Sequence, residues 1–199
     1  MRGVAFYLTE PKYAHFPVFR RRAKNAIDKS VVASIYKRPL RIVSGGQTGV
    51  DRAALDFAIE HRIPHGGWCP LGRVAEDGPL DGRYCLKETE TSSYRQRTHR
   101  NIQDSDGTLI IAQSQPLRGG TRLTERLASL DYKPVLVVLQ TEPLDGAQER
   151  LLEFVENEFV RVLNVAGPRG SGAPGIEAFV RQVLEVLRPP LVNGRQTSR

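Results

Sequence analysis

The segment from Leu40 to His61, LRIVSGGQTGVDRAALDFAIEH, leaves few folds open to this chain. Leu40, Ile42 and Val43 form a short apolar run that reads as a buried strand, and Val50, Ala54, Phe57 and Ala58 then recur at helical spacing. Between them lie Gly45, Gly46 and Gly49, which tolerate positive φ and close approach of a ligand, while Ser44, Gln47 and Thr48 supply hydrogen-bonding groups. A helix that begins directly behind such a turn presents unpaired N–H groups and roughly half a positive charge, which suits a phosphate. The turn is not a Walker A loop, because Gly49 is followed by Val50 and Asp51 in place of Lys-Ser/Thr. The dinucleotide spacing G-x-G-x-x-G is also missing. Taken alone, the turn is equally well explained as a tight connection without a ligand.

The pattern recurs. Gly107–Ala112 (GTLIIA) is a second strand, followed by Gln113–Gly120 and the helical string TRLTERLASL, with Gly119 and Gly120 at the turn and Thr121 placed as the N-cap. Pro134–Leu139 gives a third strand. Arg161–Val165 gives a fourth, ending in AGPRGSGAPG and a helix from Ile176 to about Leu187. There Gly167 and its neighbouring glycines surround Ser171, and Arg169 stands where it can meet an anion. Strand, glycine-rich turn and helix repeated in this way predict an open parallel α/β sheet, whose ligands collect at the carboxyl edge of the strands. The expected ligand is a phosphorylated small molecule.

Charge narrows the partners. The net charge of +7 lies entirely in residues 1–38, which hold nine Lys or Arg and two acids. Residues 39–199 carry twenty of each sign, so this part lacks the basic field that sequence-independent nucleic-acid binding uses. Residues 1–38 read as a flexible basic leader, with a transit peptide as the alternative, residues 39–190 as the ligand-binding domain, and residues 191–199 as a tail. No apolar run is long enough for a membrane span, and a cytoplasmic location is expected. Cys69 and Cys85 form no disulfide framework or zinc spacing, and His15, His61, His65 and His99 lack the H-E-x-x-H pattern, so no metal site is expected.

Between the first two strands runs a long segment in which a short strand near Ile63–Gly66 leads into Trp68-Cys69-Pro70 and a loop over Arg73–Arg83. Loops of this length in compact domains usually cover a site. Ser93–Asp104 reads as a helix on which Tyr94, Arg97, Thr98 and Asn101 share one face, able to bond a ring edge or ribose, or else the helix's own loop. Of Asp104 and Asp106, one is expected to turn the backbone and the other, Asp106, to meet a ligand hydroxyl. Asp51, in the first turn of its helix, is expected to order the loop and face the site. Glu76, Asp77 and Glu125 are the carboxylates available for acid–base chemistry, although no nucleophile, base and orienter set is recognisable and solvated loop acids explain the first two equally well.

The strings SGGQTGVDRAALDFAI, GGWCPLGRVAEDGPL, Y-x-x-RT-x-x-N with DSDGTLII, LRGGTRLT and LNVAGPRGS-x-APGI resemble the molybdenum carrier family, over about residues 40–188. That family is a circularly permuted YpsA-like branch of the SLOG superfamily, which also holds the LOG phosphoribohydrolases and the DNA-processing protein DprA. The resemblance implies a Rossmann-like three-layer α/β domain with a mainly parallel sheet and helices on both faces, often assembled as a homo-oligomer. It implies a pterin-phosphate or nucleotide-like ligand, above all molybdenum cofactor, stored without conversion and passed to molybdoenzymes or cofactor-synthesis proteins. Carried onto this chain, the binding residues are Gly45, Gly46, Thr48 and Gly49; Gly119, Gly120 and Thr121; and Gly167, Arg169 and Ser171. Gln47, Asp51, Arg97, Thr98, Asn101 and Asp106 complete the expected set. The LOG enzymes carry a P-G-G-x-G-T-x-x-E motif with a catalytic glutamate. Here the corresponding string is Arg118-Gly119-Gly120-Thr121-Arg122-Leu123-Thr124-Glu125, without the second G-T step, so a hydrolytic Glu125 does not follow from the resemblance. A nucleotide-processing hydrolase is the alternative reading, and a DNA-binding module is a third.

Overall fold

A computed structural model describes residues 40–190. The basic leader and the tail of the sequence reading lie outside the described residues. Four strands of the main sheet follow the apolar runs: β1 (Arg41–Val43), β7 (Gly107–Ala112), β8 (Val135–Leu139) and β9 (Val162–Ala166). A fifth, β2, is shorter than its sequence signal and covers only His65–Gly66. The order is β2-β1-β9-β7-β8, and every neighbouring pair is parallel, with Ile42 opposite Leu163 and Ile110 opposite Val137.

Burial on both faces explains why the strands read as unbroken apolar runs. Along β7, Leu109 and Ile111 point into the larger core with Ile42, Leu163 and Val165. Helices α1 (Val50–Glu60), α4 (Leu144–Asn157) and α5 (Ile176–Leu184) cover that face. Ile110 and Ala112 point to the opposite face, which α2 (Tyr94–Gln103) and α3 (Gly119–Leu130) cover through Ile102, Leu127 and Ala128. The result is a three-layer α/β domain. Helix α4 has no counterpart in the sequence reading, although Ala147, Leu151, Leu152 and Val155 are its buried stripe.

The long middle segment folds as a small unit with its own core. Short ribbons β3 (Trp68–Cys69) with β6 (Lys87–Glu88), and β4 (Val74–Ala75) with β5 (Gly78–Pro79), enclose Cys69, Ala75, Leu80, Tyr84 and Leu86 against Leu55 of α1. The glycine spacing of Arg73–Arg83 predicts a loop, and the structure places a ribbon within it. Strands of two residues carry no detectable alternation, so the pattern does not announce the antiparallel β4–β5 ribbon. Arg73 ties the segment together by donating to the carbonyls of Leu80, Asp81, Tyr84 and Leu86.

Topology fixes where a site can form. The crossover from β1 leads outward to β2, and that from β7 leads outward to β8, so the chain departs in opposite directions on either side of the central β9. All strands being parallel, the turns after β1, β9 and β7 leave the same carboxyl edge, around a switch point.

Candidate functional site

The turns after β1 and β9 meet directly. Gly49 adopts φ +78°, a conformation for which side-chained residues are strained, and a Cβ there would stand 2.5 Å from the Pro168 carbonyl. Gly170 donates its N–H to Thr48 Oγ1 at 3.1 Å, and Val50 donates to the Pro168 carbonyl at 3.2 Å. Gly167 lies so close to the Ile111 carbonyl that a Cβ would fall 2.3 Å from it, which brings the end of β7 against the same junction.

A carboxylate fills the rim of this junction. Thr48 Oγ1 donates to Glu76 Oε1, the Ser171 N–H donates to Oε1 at 3.2 Å, and the Ser171 hydroxyl donates to Oε2 at 2.6 Å. Arg169 Nη1 stands 3.8 Å from the same Oε2. These hydrogen bonds, from Ser171 first and then Thr48, hold the Glu76 carboxyl below its ordinary range. Gln47 braces the arrangement, its side-chain oxygen accepting from the N–H groups of Thr48 at 3.0 Å and Glu76 at 2.9 Å. Asp77 receives both Arg52 guanidinium nitrogens at 3.0 Å, which lowers its pKa, while Arg52 Nε bonds the Gly46 carbonyl.

One layer deeper, Asp51 accepts from Arg97 Nη1 at 2.9 Å, both side chains being nearly buried. Burial pushes the Asp51 carboxyl above its ordinary range, and the Arg97 charge acts against that push. The Arg97 guanidinium passes so close over Gly45 that a Cβ there would meet Nη1 at 2.0 Å, so the residue must be glycine for the pair to form. Arg97 Nε is buried and has no hydrogen-bond partner among the described residues. Tyr94 stands at the mouth, its hydroxyl 3.5 Å from Gln47 Nε2 and its ring flanked by the guanidinium carbons of Arg97 and Arg169 at 5.8 and 6.0 Å.

Several expectations need correction. The first turn of α1 is not a free anion site, because the N–H groups of Val50 and Arg52 are bonded to Pro168 and Gln47 carbonyls. The donors that face a carboxylate are the hydroxyls of Thr48 and Ser171 and the Ser171 amide. Thr121 is not the N-cap of α3. Arg118 holds that position without a side-chain bond, the helix starts at Gly119, and Thr121 is buried two residues further in. Asp106 lies at the start of β7, at the amino edge opposite the turns, where Oδ2 accepts the N–H groups of Arg161 and Val162 at 2.8 and 2.7 Å. Its role is to close the start of β9. The other carboxylate of that pair, Asp104, accepts the Trp68 indole N–H at 2.7 Å.

Arg97, Thr98 and Asn101 turn inward while Tyr94 stays exposed, and the Asn101 amide is engaged with the backbone N–H and carbonyl of Trp68 at 2.8 and 3.0 Å. Asn101 therefore shapes the site from behind, and Thr98 is buried beside it. Gly119 and Gly120 remain open, with nothing near the place a Cβ would take. Among the described residues, no hydrogen bond or ion pair links residues 113–121 to Thr48, Glu76 or Ser171. Glu125 sits six residues into α3, about 9 Å along its axis from the edge. The residue that sequence reasoning missed is Arg52, whose position on an amphipathic helix looks solvated until Asp77 is brought beside it.

A parallel sheet covered by helices on both faces, with glycine-rich turns joined at its switch point, defines a Rossmann-like α/β domain. The family model of the circularly permuted YpsA SLOG family matches residues 42–188, and the chain belongs to that family. It is similar to the crystal structure, at 1.45 Å resolution, of the "Putative molybdenum carrier protein" of Syntrophus aciditrophicus SB. The two are 44% identical with a TM-score of 0.73, over 76% of this chain and 97% of the other. No curated protein matches the chain. Among the described residues no helix is long and apolar enough to cross a membrane, and no group of three or more His, Cys, Asp or Glu could hold a metal ion.

Proposed function

We propose that the chain is a carrier that holds a phosphorylated pterin or nucleotide-like ligand at the junction of the turns after β1 and β9, with molybdenum cofactor as the cargo. The observation that supports it is the cluster of Thr48, Ser171 and Arg169, which already surrounds an oxyanion, the Glu76 carboxylate. Hydroxyl and amide donors with one guanidinium suit a terminal phosphate. Tyr94, exposed beside the Arg97 and Arg169 guanidinium groups, adds an aromatic ring that a planar ligand could contact. The similarity to a protein named as a molybdenum carrier supports the choice of cargo. Delivery to molybdoenzymes or cofactor-synthesis proteins, a cytoplasmic location and a homo-oligomeric state belong to the same reading.

The alternative, nucleotide hydrolysis, draws less from the geometry. Glu76 is held ionised by its donors, Asp77 is paired with Arg52, and Glu125 is remote, so none is poised to donate a proton at neutral pH. Mass spectrometry of small molecules released from the purified protein tests the proposal. A bound pterin, together with slower oxidation of added molybdenum cofactor, is expected. Release of free base from nucleoside monophosphates, with no bound pterin and no protection, would replace the carrier with the hydrolase.

A further inference from the structure

We infer that Glu76 is a specificity-determining residue of this site: its carboxylate occupies the oxyanion position itself, so that an incoming anion must displace it, and doubly charged phosphate is admitted ahead of singly charged anions. The inference rests on the anion site proposed above and adds who competes for it.

The geometry supports competition over cooperation. Both Glu76 oxygens are taken by Thr48, Ser171 and the nearby Arg169 cation, and those are the groups a phosphate would use. Thr48 Oγ1 accepts the Gly170 N–H, so its single proton is directed at the rim, where either a carboxylate or a phosphate oxygen receives it, not both. Two anions within one ring of donors repel each other, and that repulsion favours expulsion of the weaker acceptor. A phosphate dianion outbids a carboxylate for the same donors because it carries more charge and a third acceptor oxygen. A second carboxylate has no such advantage.

The segment carrying Glu76 is also built to swing. The side chain lies on the turn of the β4–β5 ribbon, between Ala75 and Gly78. Gly78 has φ +116° with open space around it. Beyond the ribbon, the Arg73 bonds and the buried Tyr84 and Leu86 anchor the base independently of Glu76. Beyond the buried Ala75 at its start, what holds the tip is the Glu76 cluster, the bond from the Glu76 N–H to Gln47 and the Arg52–Asp77 pair. That pair is screened by water on the Asp77 side, which is half-exposed.

The test is calorimetric titration of the full chain with inorganic phosphate and with acetate, at about pH 8 where phosphate is dianionic. Wild type is expected to bind phosphate and not acetate. Glu76→Ala should bind phosphate about tenfold more tightly, as the competent state no longer has to be opened, and should gain acetate binding. Glu76→Gln, which keeps the shape without the charge, should fall between. Equal or weaker phosphate binding by both variants overturns the inference. Thr48→Val separates the two ideas: if it abolishes phosphate binding while Glu76→Ala changes nothing, the site stands and the competitor falls. If no variant and not the wild type binds phosphate, both fall. As a readout free of substitutions, hydrogen exchange of the amides of residues 74–79 in wild type should accelerate at saturating phosphate. Unchanged or slower exchange there counts against displacement.

Discussion

The turns after β1 and β7 are written in nearly the same letters, Ser-Gly-Gly-Gln-Thr at 44–48 and Arg-Gly-Gly-Thr at 118–121, yet they reach different physical states. The first is closed upon its neighbours. Thr48 is bonded to Gly170 and Glu76, Gly45 lies under Arg97, and Gly49 touches the backbone after β9. The second is open, with free space above Gly119 and Gly120 and, among the described residues, no polar link to the cluster. Both strands neighbour β9, whose glycine-rich turn meets the one after β1, whereas the turn after β7 follows an exposed stretch, 113–116, that carries it away from the cluster's hydrogen bonds. Identical glycine-hydroxyl signals therefore mark a prebuilt cradle in one place and a bare rim in the other.

The sharpest way to break this comparison is at the buried pair beneath the closed turn. Arg97→Met strands Asp51 in a buried position and is expected to cost about 3–5 kcal/mol in urea unfolding, with much of that recovered in Asp51→Asn/Arg97→Met. A loss below about 1 kcal/mol would show that the pair does not organise the turn. Next in size, Gly49→Ala should cost about 2–3 kcal/mol through its positive φ and its contact with Pro168. The matched change in the open turn, Gly120→Ala, should instead stabilise the chain by about 0.5–1 kcal/mol, since it adds a helix former where nothing obstructs it. Similar values at positions 49 and 120 would erase the distinction between the turns.

Acid should loosen the closed turn gently and leave the open one unaffected. Glu76 and Asp77 have lower pKa values folded than unfolded, so their contacts contribute fully above the unfolded values, 4.5 and 3.8, and are lost as pH falls through the folded ones. Protection of the amides of residues 74–79, corrected for intrinsic exchange, should therefore fall below about pH 4.5, ahead of global unfolding. Protection that stays flat until the whole chain unfolds would mean that these carboxylates do not hold the ribbon.

Much of the fold was legible because buried strands announce themselves. GTLIIA is apolar on both faces and coincides residue for residue with β7, and Ser93–Asp104 encloses α2 with Ser93 as its cap. What escaped had weaker local signals. The stripe of α4 is diluted by Gly146, Gln148 and Glu149, and the two-residue ribbons exist through tertiary pairing alone. At the site, the sequence brought Gly45, Thr48, Gly49, Gly167, Arg169 and Ser171 into one hypothesis, and the fold does set these turns together. Asp106 directly precedes Gly107, so chain order alone places it at the amino edge and the sequence does not support a ligand role for it. Nor could the sequence show that Glu76 and Arg52 belong to the cluster, because their partners are distant along the chain.

Trp68 gives the chain a built-in optical reporter. It is the single tryptophan, its indole is bonded to Asp104, its backbone is clasped by Asn101, and Lys87 and Arg100 lie over its ring at 5.4 and 5.5 Å. Emission from this one ring samples the β3–β6 ribbon and α2 together, the two elements that Trp68 joins. Any cargo that shifts either element thus changes the colour or intensity of a signal that needs no label.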